Sequence, residues 1–344
     1  MVEAAAGLSA LGHHTIVGCL KDSIIEKKAI QKNVRTLKFG ISSDISFLKI
    51  FKLERILRKE KIDVLVCCQN KDVKIGGRAA RRAGTKAVFS RQGLQLFTNK
   101  KKYKYPFTKL IDGIITNTRS IKQIYESFGW FPNNFIHVIY NGMSLPEIDK
   151  TLKKETVFGI DPDIKVVFSA GRLSEQKGFS YLIDAAVICR NKNLNYQFFI
   201  AGSGKLEDQL KAKVRQLELD DYVHFIGFTE DLSPYYQTAD VFLLPSLYEG
   251  MPNVVMESMA YGTPTIATRV NGAEELIEDG TNGFLIEPES AEQIVEKLDV
   301  FFSEAVDREK MAKRARQHIA KHFTTEVMSK KLEMLFLNQL NKTS

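Results

Sequence analysis

Six short apolar runs in the second half of the chain set the strongest limit on its fold: Val166–Ala170, Gln197–Ala201, Val223–Gly227, Val241–Pro245, Thr265–Ala267 and Gly283–Ile286. None is long enough for a buried helix, and unbroken apolarity is what strands covered on both faces show. The stretches between them carry helical spacing. Leu182, Ala185, Ala186 and Ile188 line one face of Gly178–Asn191, a charged helix runs to about Leu217, and shorter helices fit Leu232–Thr238 and Asn253–Tyr261. Parallel strands need such crossovers, because a tight hairpin joins only antiparallel neighbours. The pattern predicts a doubly wound parallel α/β domain.

The first half repeats the pattern less regularly. Strands Thr15–Cys19, Val34–Phe39, Val64–Cys68, Ala87–Ser90, Gly113–Thr116 and Ile136–Tyr140 alternate with helices, the clearest over Leu48–Lys59 with Ile50, Leu53, Ile56 and Leu57 inward. A chain of 344 residues exceeds one ordinary core, so two domains are expected. The predicted layout is a first domain over 1–147, a linker over 148–163 rich in charge and bounded by prolines, and a second domain over 164–325. Residues 326–344 form a last helix whose stripe of Met328, Leu332, Leu335 and Leu337 packs at the domain seam or back on the first domain. Two such domains are expected to face across a cleft between the carboxyl ends of their sheets.

Composition narrows the class. With 44% hydrophobic and 26% charged residues the chain reads as a globular protein. It has no apolar run of the roughly 18 residues that cross a bilayer. Met1 opens directly into a helical stretch rather than a basic and then apolar leader, so a cytoplasmic protein is expected. Cys19, Cys67, Cys68 and Cys189 show no CxxC spacing and read as buried free thiols. His13 and His14, as neighbours, cannot both face one metal, and no bound metal is expected. The net charge of +8 is unevenly placed: residues 1–148 hold 26 Lys and Arg against 11 Asp and Glu, the remainder 23 against 30. The basic half suits an anionic partner: a membrane surface, a phosphorylated acceptor or a nucleic acid. No nucleic-acid motif accompanies the charge, so nucleic acid is set aside. No GxGxxG opens a helix, which argues against a nicotinamide dehydrogenase.

The chemistry concentrates between Glu249 and Glu257. Gly250, Met251 and Pro252 shape a turn after the run Val241–Pro245, and Asn253 opens a helix. The first amides of a helix lack intrahelical partners and, with its dipole, suit a phosphate. Carboxylates on either side accept hydrogen bonds from sugar hydroxyls. A phosphate cradle between two hydroxyl acceptors describes a nucleotide-sugar site.

With these residues in view the chain resembles a known family. Gly171-Arg172-Leu173-Ser174-Glu175-Gln176-Lys177-Gly178 is similar to the "GRL…KG" segment of retaining glycosyltransferases of the GT-B fold. Glu249 and Glu257 resemble their E-x7-E motif, within LPSLYEGMPNVVMESMAYGTPTIAT. The match covers nearly all of 164–325 and points to family 4, which includes sucrose synthases and bacterial lipopolysaccharide and capsule enzymes. In the first half, residues 115–143 resemble the segment before that family's linker, with Asn141-Gly142 at its Asn-Gly turn.

The resemblance implies two Rossmann-like domains and transfer of a sugar from a nucleotide-diphosphate donor to a glycan or lipid-linked saccharide acceptor, without metal or cofactor. It implies that Arg172 and Lys177 bind the donor diphosphate, that Glu249 contacts the donor sugar, and that Glu257 holds the ribose. Gly171, Gly202, Gly204 and Gly227 would let the nucleotide approach, with base contacts near Phe225–Phe228. A catalytically silent nucleotide-sugar-binding protein is the competing expectation. No pair of acid and nucleophile carboxylates of the glycoside-hydrolase kind is evident.

Two departures from the family stand out. Many members carry a His at the end of a first-domain strand; here Ser90 is followed by Arg91, which is expected to contact the donor phosphate or an anionic acceptor. Members also begin with a strand and a Gly-Gly loop, whereas this chain opens within what resembles the following helix, Glu3–His14. The resemblance thus implies an uncovered strand edge in the first domain. Finally, Asn99–Phe107 interleaves cations with aromatics and reads as a loop: a plain solvated one, one resting on an anionic membrane, or one closing over the acceptor.

Overall fold

The computed structural model of the chain describes residues 1–41, 46–93 and 97–343. They fall into two compact units, Met1–Gly142 with Thr324–Ser344, and Met143–Phe323.

In the first unit all strands are parallel and lie in two sheets. β1 (Ile16–Cys19) pairs only with β2 (Arg35–Lys38), while β3 (Val64–Cys67), β4 (Ala87–Gln92), β5 (Gly113–Thr116) and β6 (Ile136–Val138) follow one another in a four-stranded sheet. One face of the larger sheet packs against helices Phe47–Lys59 and Asn70–Ala83 through Leu53, Leu57, Val73, Ile75 and Val88. Phe97 is stacked between Phe107 and Tyr125, with centroids at 4.0 and 4.3 Å. The opposite face carries Phe89, Ile115 and Ile139 against Met328 and Leu332 of helix Thr325–Thr343, with Ala4 of helix Val2–Ala10 beside them. The last helix thus belongs to the first unit. Leu337 of its predicted stripe is exposed, and Phe336 packs on Phe89 in its place.

The Lys-aromatic run is not a loop. Lys101–Lys109 is helical, Pro106 and Phe107 are buried, and Tyr103 packs against Phe97. Withdrawing a buried phenylalanine would forfeit about 2–3 kcal/mol of burial, so the core keeps the ring. Of the run's aromatics Tyr105 remains exposed.

The second unit holds one six-stranded parallel sheet in the order β12-β11-β10-β7-β8-β9. Its strands are β7 (Lys165–Ala170), β8 (Tyr196–Ala201), β9 (Val223–Gly227), β10 (Val241–Leu244), β11 (Thr265–Thr268) and β12 (Phe284–Ile286). The chain runs outward from β7 through β8 to β9, then returns to lay β10 on the other side of β7, so the order reverses between β7 and β10. Open α/β sheets bind ligands outside the carboxyl ends of their strands at such a reversal. The predicted strands and helix Asn253–Tyr261 are present with small shifts at their ends. Helices Ala291–Phe302 and Arg308–His322, which the sequence reading passed over, cover the sheet and its flanking helices. The segment 148–163 is no free tether: it includes helix Lys154–Phe158, whose Phe158 packs on Phe168, Phe199 and Tyr235. Among the described residues no helix is long and apolar enough to cross a membrane.

Candidate functional site

The loops after β7 and β10 meet at the switch point. After β7 the chain passes through Gly171 and Arg172 into a short 3-10 segment, Glu175–Lys177, and turns at Gly178 in the left-handed region, φ +63°. Any Cβ on Gly178 would run into the carbonyl of Pro245 at the end of β10, so only glycine lets the two loops touch. Two further bonds tie them: Leu247 N–H donates to Gln176 O (2.8 Å), and Gln176 Nε2 donates to Tyr248 O (2.9 Å).

This junction delivers Lys177 to Glu249. Lys177 Nζ lies 2.5 Å from Glu249 Oε1, and Ser246 Oγ donates to the same oxygen at 2.7 Å. Glu249 is buried and Lys177 largely so, in a setting where a charge-assisted bond is strong. The loop is also held from β11: Thr268 Oγ1 donates to Ser246 O (2.5 Å), Asn271 Nδ2 to Glu249 O (2.9 Å), and Gly272 N–H to Gly250 O (2.9 Å). Asn271 sits at φ +28° to make its bond, a conformation asparagine tolerates better than most residues. Strained backbone held by surrounding bonds is a common mark of functional loops.

Beyond Glu249 the side chain of Met251 and the ring of Pro252 are buried, so these positions offer backbone rather than side chains. Pro252 precedes helix Asn253–Tyr261, whose first turn has no side-chain cap. Glu257, half-buried one turn into that helix, accepts from Tyr236 Oη at 3.1 Å. Burial, and then the charge of Glu257, push the Tyr236 phenol well above its ordinary pKa, so it stays a donor. Arg172 is exposed beside this cluster's Gly171.

The glycines between β8 and its helix have an internal task. Gly202, at φ +138°, and Gly204 lie so close to the backbones of Gly171 and Leu173 that a Cβ would overlap them. That packing accounts for both glycines whether or not a nucleotide approaches. Gly227 ends β9 at φ +83° with open space around it.

The three candidates in the first unit come together at the start of the last helix. β4 runs two residues further than predicted, so Arg91 is inside the strand and buried rather than at a surface end. Its Nη2 donates to Asn141 Oδ1 at 3.2 Å and approaches Met328 Sδ at 3.5 Å, while the buried Nη1 has no partner among the described residues. Burial holds the Arg91 pKa below its ordinary value. Gly142 lies against the backbone of Thr324 and Thr325, where a Cβ would not fit, which makes it a packing residue for the last helix.

Ser246, Asn271, Gln176 and Tyr236 were not singled out from sequence. A serine three residues before a site carboxylate and an Asn-Gly pair after a strand are the signals that pointed to two of them. Among the described residues no group of three or more His, Cys, Asp or Glu is placed to hold a metal ion.

The chain resembles known proteins in family and fold. Residues 1–146 match the family model described as Glycosyltransferase Family 4, and residues 151–318 the one described as Glycosyl transferases group 1. An uncharacterized glycosyltransferase of Haemophilus influenzae is 34% identical over 201 residues, 58% of this chain and 54% of its own length. The chain thus spans about half of that relative. A UDP-Gal:alpha-D-GlcNAc-diphosphoundecaprenol alpha-1,3-galactosyltransferase of Escherichia coli is 29% identical over 89% of this chain and 83% of its own length. Among solved structures, Anabaena Alr3699/HepE in complex with UDP and glucose superposes with a TM-score of 0.81 at 19% identity, over 98% of this chain and 96% of that one. That last likeness is one of fold.

Proposed function

This chain belongs to family 4 of the glycosyltransferases, and on that premise we propose that it moves a glycosyl unit from a nucleoside-diphosphate sugar to a hydroxyl of a saccharide acceptor, with retention at the anomeric carbon. The observation that carries the reading is the Lys177–Glu249–Ser246 cluster at the switch point of the second unit's sheet. The galactosyltransferase relative is named for a UDP-sugar donor and a diphosphoundecaprenol-linked acceptor, and the Anabaena protein was solved with UDP. Both favour a uridine diphosphate sugar, and the galactosyltransferase favours an acceptor of the lipid-linked kind.

In this reading the bond from the anomeric carbon to the donor phosphate breaks while a bond from that carbon to the acceptor oxygen forms on the same face. The acceptor proton passes to the departing phosphate oxygen, and the nucleoside diphosphate leaves. Charge therefore grows on the diphosphate. The Lys177 ammonium has three protons and spends one on Glu249, which leaves two for phosphate oxygens. Arg172 offers a bidentate contact from solvent, and the uncapped turn at Asn253 adds the helix dipole. Protein cations and amides take the part a metal ion plays in other transferases. Glu249, locked through Oε1, presents Oε2 to the sugar hydroxyls, and Glu257 takes the ribose. Arg91 and Asn141 are assigned to the acceptor side.

The test is a panel of nucleotide sugars scored for transfer and for hydrolysis. Glu249→Gln keeps the shape and removes the charge; it lowers kcat by about a hundredfold or more, the usual cost of one electrostatic contact made at the reacting centre. Glu257→Ala acts mainly on donor KM, and EDTA leaves the rate unchanged. Donor binding without turnover in the wild-type chain would instead make it a silent nucleotide-sugar-binding protein.

A further inference from the structure

Two consecutive peptide planes in the turn after Glu249 are held from one place, the Asn271-Gly272 pair on the loop after β11. Asn271 Nδ2 donates to Glu249 O at 2.9 Å, and Gly272 N–H donates to Gly250 O at 2.9 Å. A Cβ on Gly272 would overlap the Gly250 carbonyl, so the two loops touch there backbone to backbone.

This contact sets the direction of the next two amides. A trans peptide points its N–H opposite its C=O, and the chain has no cis bond among the described residues. With the carbonyls of Glu249 and Gly250 turned toward Asn271-Gly272, the N–H groups of Gly250 and Met251 turn away from that loop. Both residues are buried, and neither N–H has an acceptor among the described residues. Buried backbone donors are nearly always paired. Two adjacent ones left open are therefore set for oxygen atoms that the protein does not supply.

The loop that aims them has a firm base. Arg269 N–H donates to Ile286 O of β12 at 2.6 Å, and the Arg269 side chain meets Glu274, Asp279 and Glu287. Ala273 N–H donates to Val270 O at 2.9 Å and closes the turn. Asn271 alone in this turn holds a left-handed backbone, at φ +28°, where glycine would be relaxed. Among the described residues its side chain makes one hydrogen bond, the one to Glu249 O. Strain retained for a single bond points to what that bond does.

We propose that Asn271 is a positioning residue for glycosyl transfer. It acts through the loop rather than on the substrate, aiming the Gly250 and Met251 amides and the backbone of Glu249 at the sugar of the donor. The assignment rests on the nucleotide-sugar reading of this loop. Tilting either peptide plane shifts the sugar relative to the incoming hydroxyl, and a small misplacement at a reacting centre is costly in rate.

Asn271→Gly is the test, because glycine takes the same backbone angle without strain and removes only the amide. With the donor that supports turnover, kcat falls about tenfold or more. Affinity for the free nucleoside diphosphate, which has no sugar to misplace, is unchanged by calorimetry. The urea midpoint moves little, since relieved strain offsets the lost bond. Asn271→Asp lowers kcat at least as far, because a carboxylate cannot donate to the Glu249 carbonyl. Unchanged kcat in Asn271→Gly overturns the proposal. So does a fall in kcat accompanied by equal loss of diphosphate affinity or by a lowered urea midpoint, which would make Asn271 a support of the fold only. A wild type that turns over no nucleotide sugar is a separate result: it removes the transferase reading and this assignment together.

Discussion

The carboxyl ends of the strands look unlike each other in the two units. In the second unit the loops after β7, β8, β10 and β11 press on one another through glycine contacts and fix a single carboxylate, Glu249, between Lys177 and Ser246. In the first unit the ends of β1 and β2 leave apolar side chains in solvent, and the end of β4 buries a guanidinium with one nitrogen unpartnered among the described residues. The first arrangement freezes the polar groups before any ligand arrives, which is what electrostatic stabilisation of a reacting centre requires. The second leaves apolar side chains uncovered.

Substitution at the interlocked loops should produce the largest effect. Gly202→Val places a branched side chain at φ +138° against the Gly171 carbonyl. Urea unfolding should show the second unit losing about 3 kcal/mol or more, by strain and overlap together. A loss below about 1 kcal/mol would mean the loops are less rigid than their contacts indicate.

Amide exchange sharpens the contrast. β1 and β2 form a sheet of two strands, and such pairs have little stability of their own. Amides of Gly18, Cys19 and Leu37 should exchange about a hundredfold faster than those of Phe168 and Phe199, which lie on strands paired on both sides within the six-stranded sheet. Equal protection in the two sheets would remove the distinction drawn here.

Acid gives the smallest effect. Burial lowers the pKa of His224 and His318 in the second unit and of His137 in the first, so the folded state favours the neutral rings. The facing groups modify this: Asp221 opposes the shift at His224 and Glu278 at His318, while Lys321 and His322 reinforce it at His318, and Lys122 and Lys342 at His137. A folded pKa below the unfolded value contributes stability above the unfolded pKa, about 6.5, which is lost as pH falls through it toward the folded value. The carboxylates held low by partners, such as Glu60 and Glu326, titrate below that window. Melting followed from pH 7.5 to 5.5 should fall by about 2 °C, mostly in the second unit. A rise on acidification would show that the carboxylates beside the rings outweigh their burial.

Much of the fold was legible because strands of a parallel sheet are written as unbroken apolar runs. β5, β9 and helix Asn253–Tyr261 fall where periodicity and turn residues put them. The boundary errors have local causes. β4 continues through Arg91 and Gln92 because β5 pairs with both, which their polarity hid. Lys101–Lys109 looked like a loop since its cations outnumber its apolar residues, yet Phe107 and Tyr103 suffice to dock it on Phe97. Of the site, the two carboxylates stand out by their place around a turn, and the two cations only through the resemblance to the family's motif. Of the residues that hold them, Asn271 and Gln176 bond to the loop after β10 from loops 22 and 72 residues away, while Ser246 reaches Glu249 within its own loop.

The sequence by itself determined the parallel α/β architecture, the family, and the loop that carries Glu249 and Glu257. The architecture follows from apolar run length and helical period, the loop from carboxylates spaced around a turn, and the family from the resemblance of its motifs to known ones. Tertiary structure alone decided that β10 lies beside β7, which sets Lys177 against Glu249 from 72 residues away. It also decided which cations and aromatics face solvent. Burial depends on what packs against a residue, and in this chain those partners come from distant segments that no local pattern records.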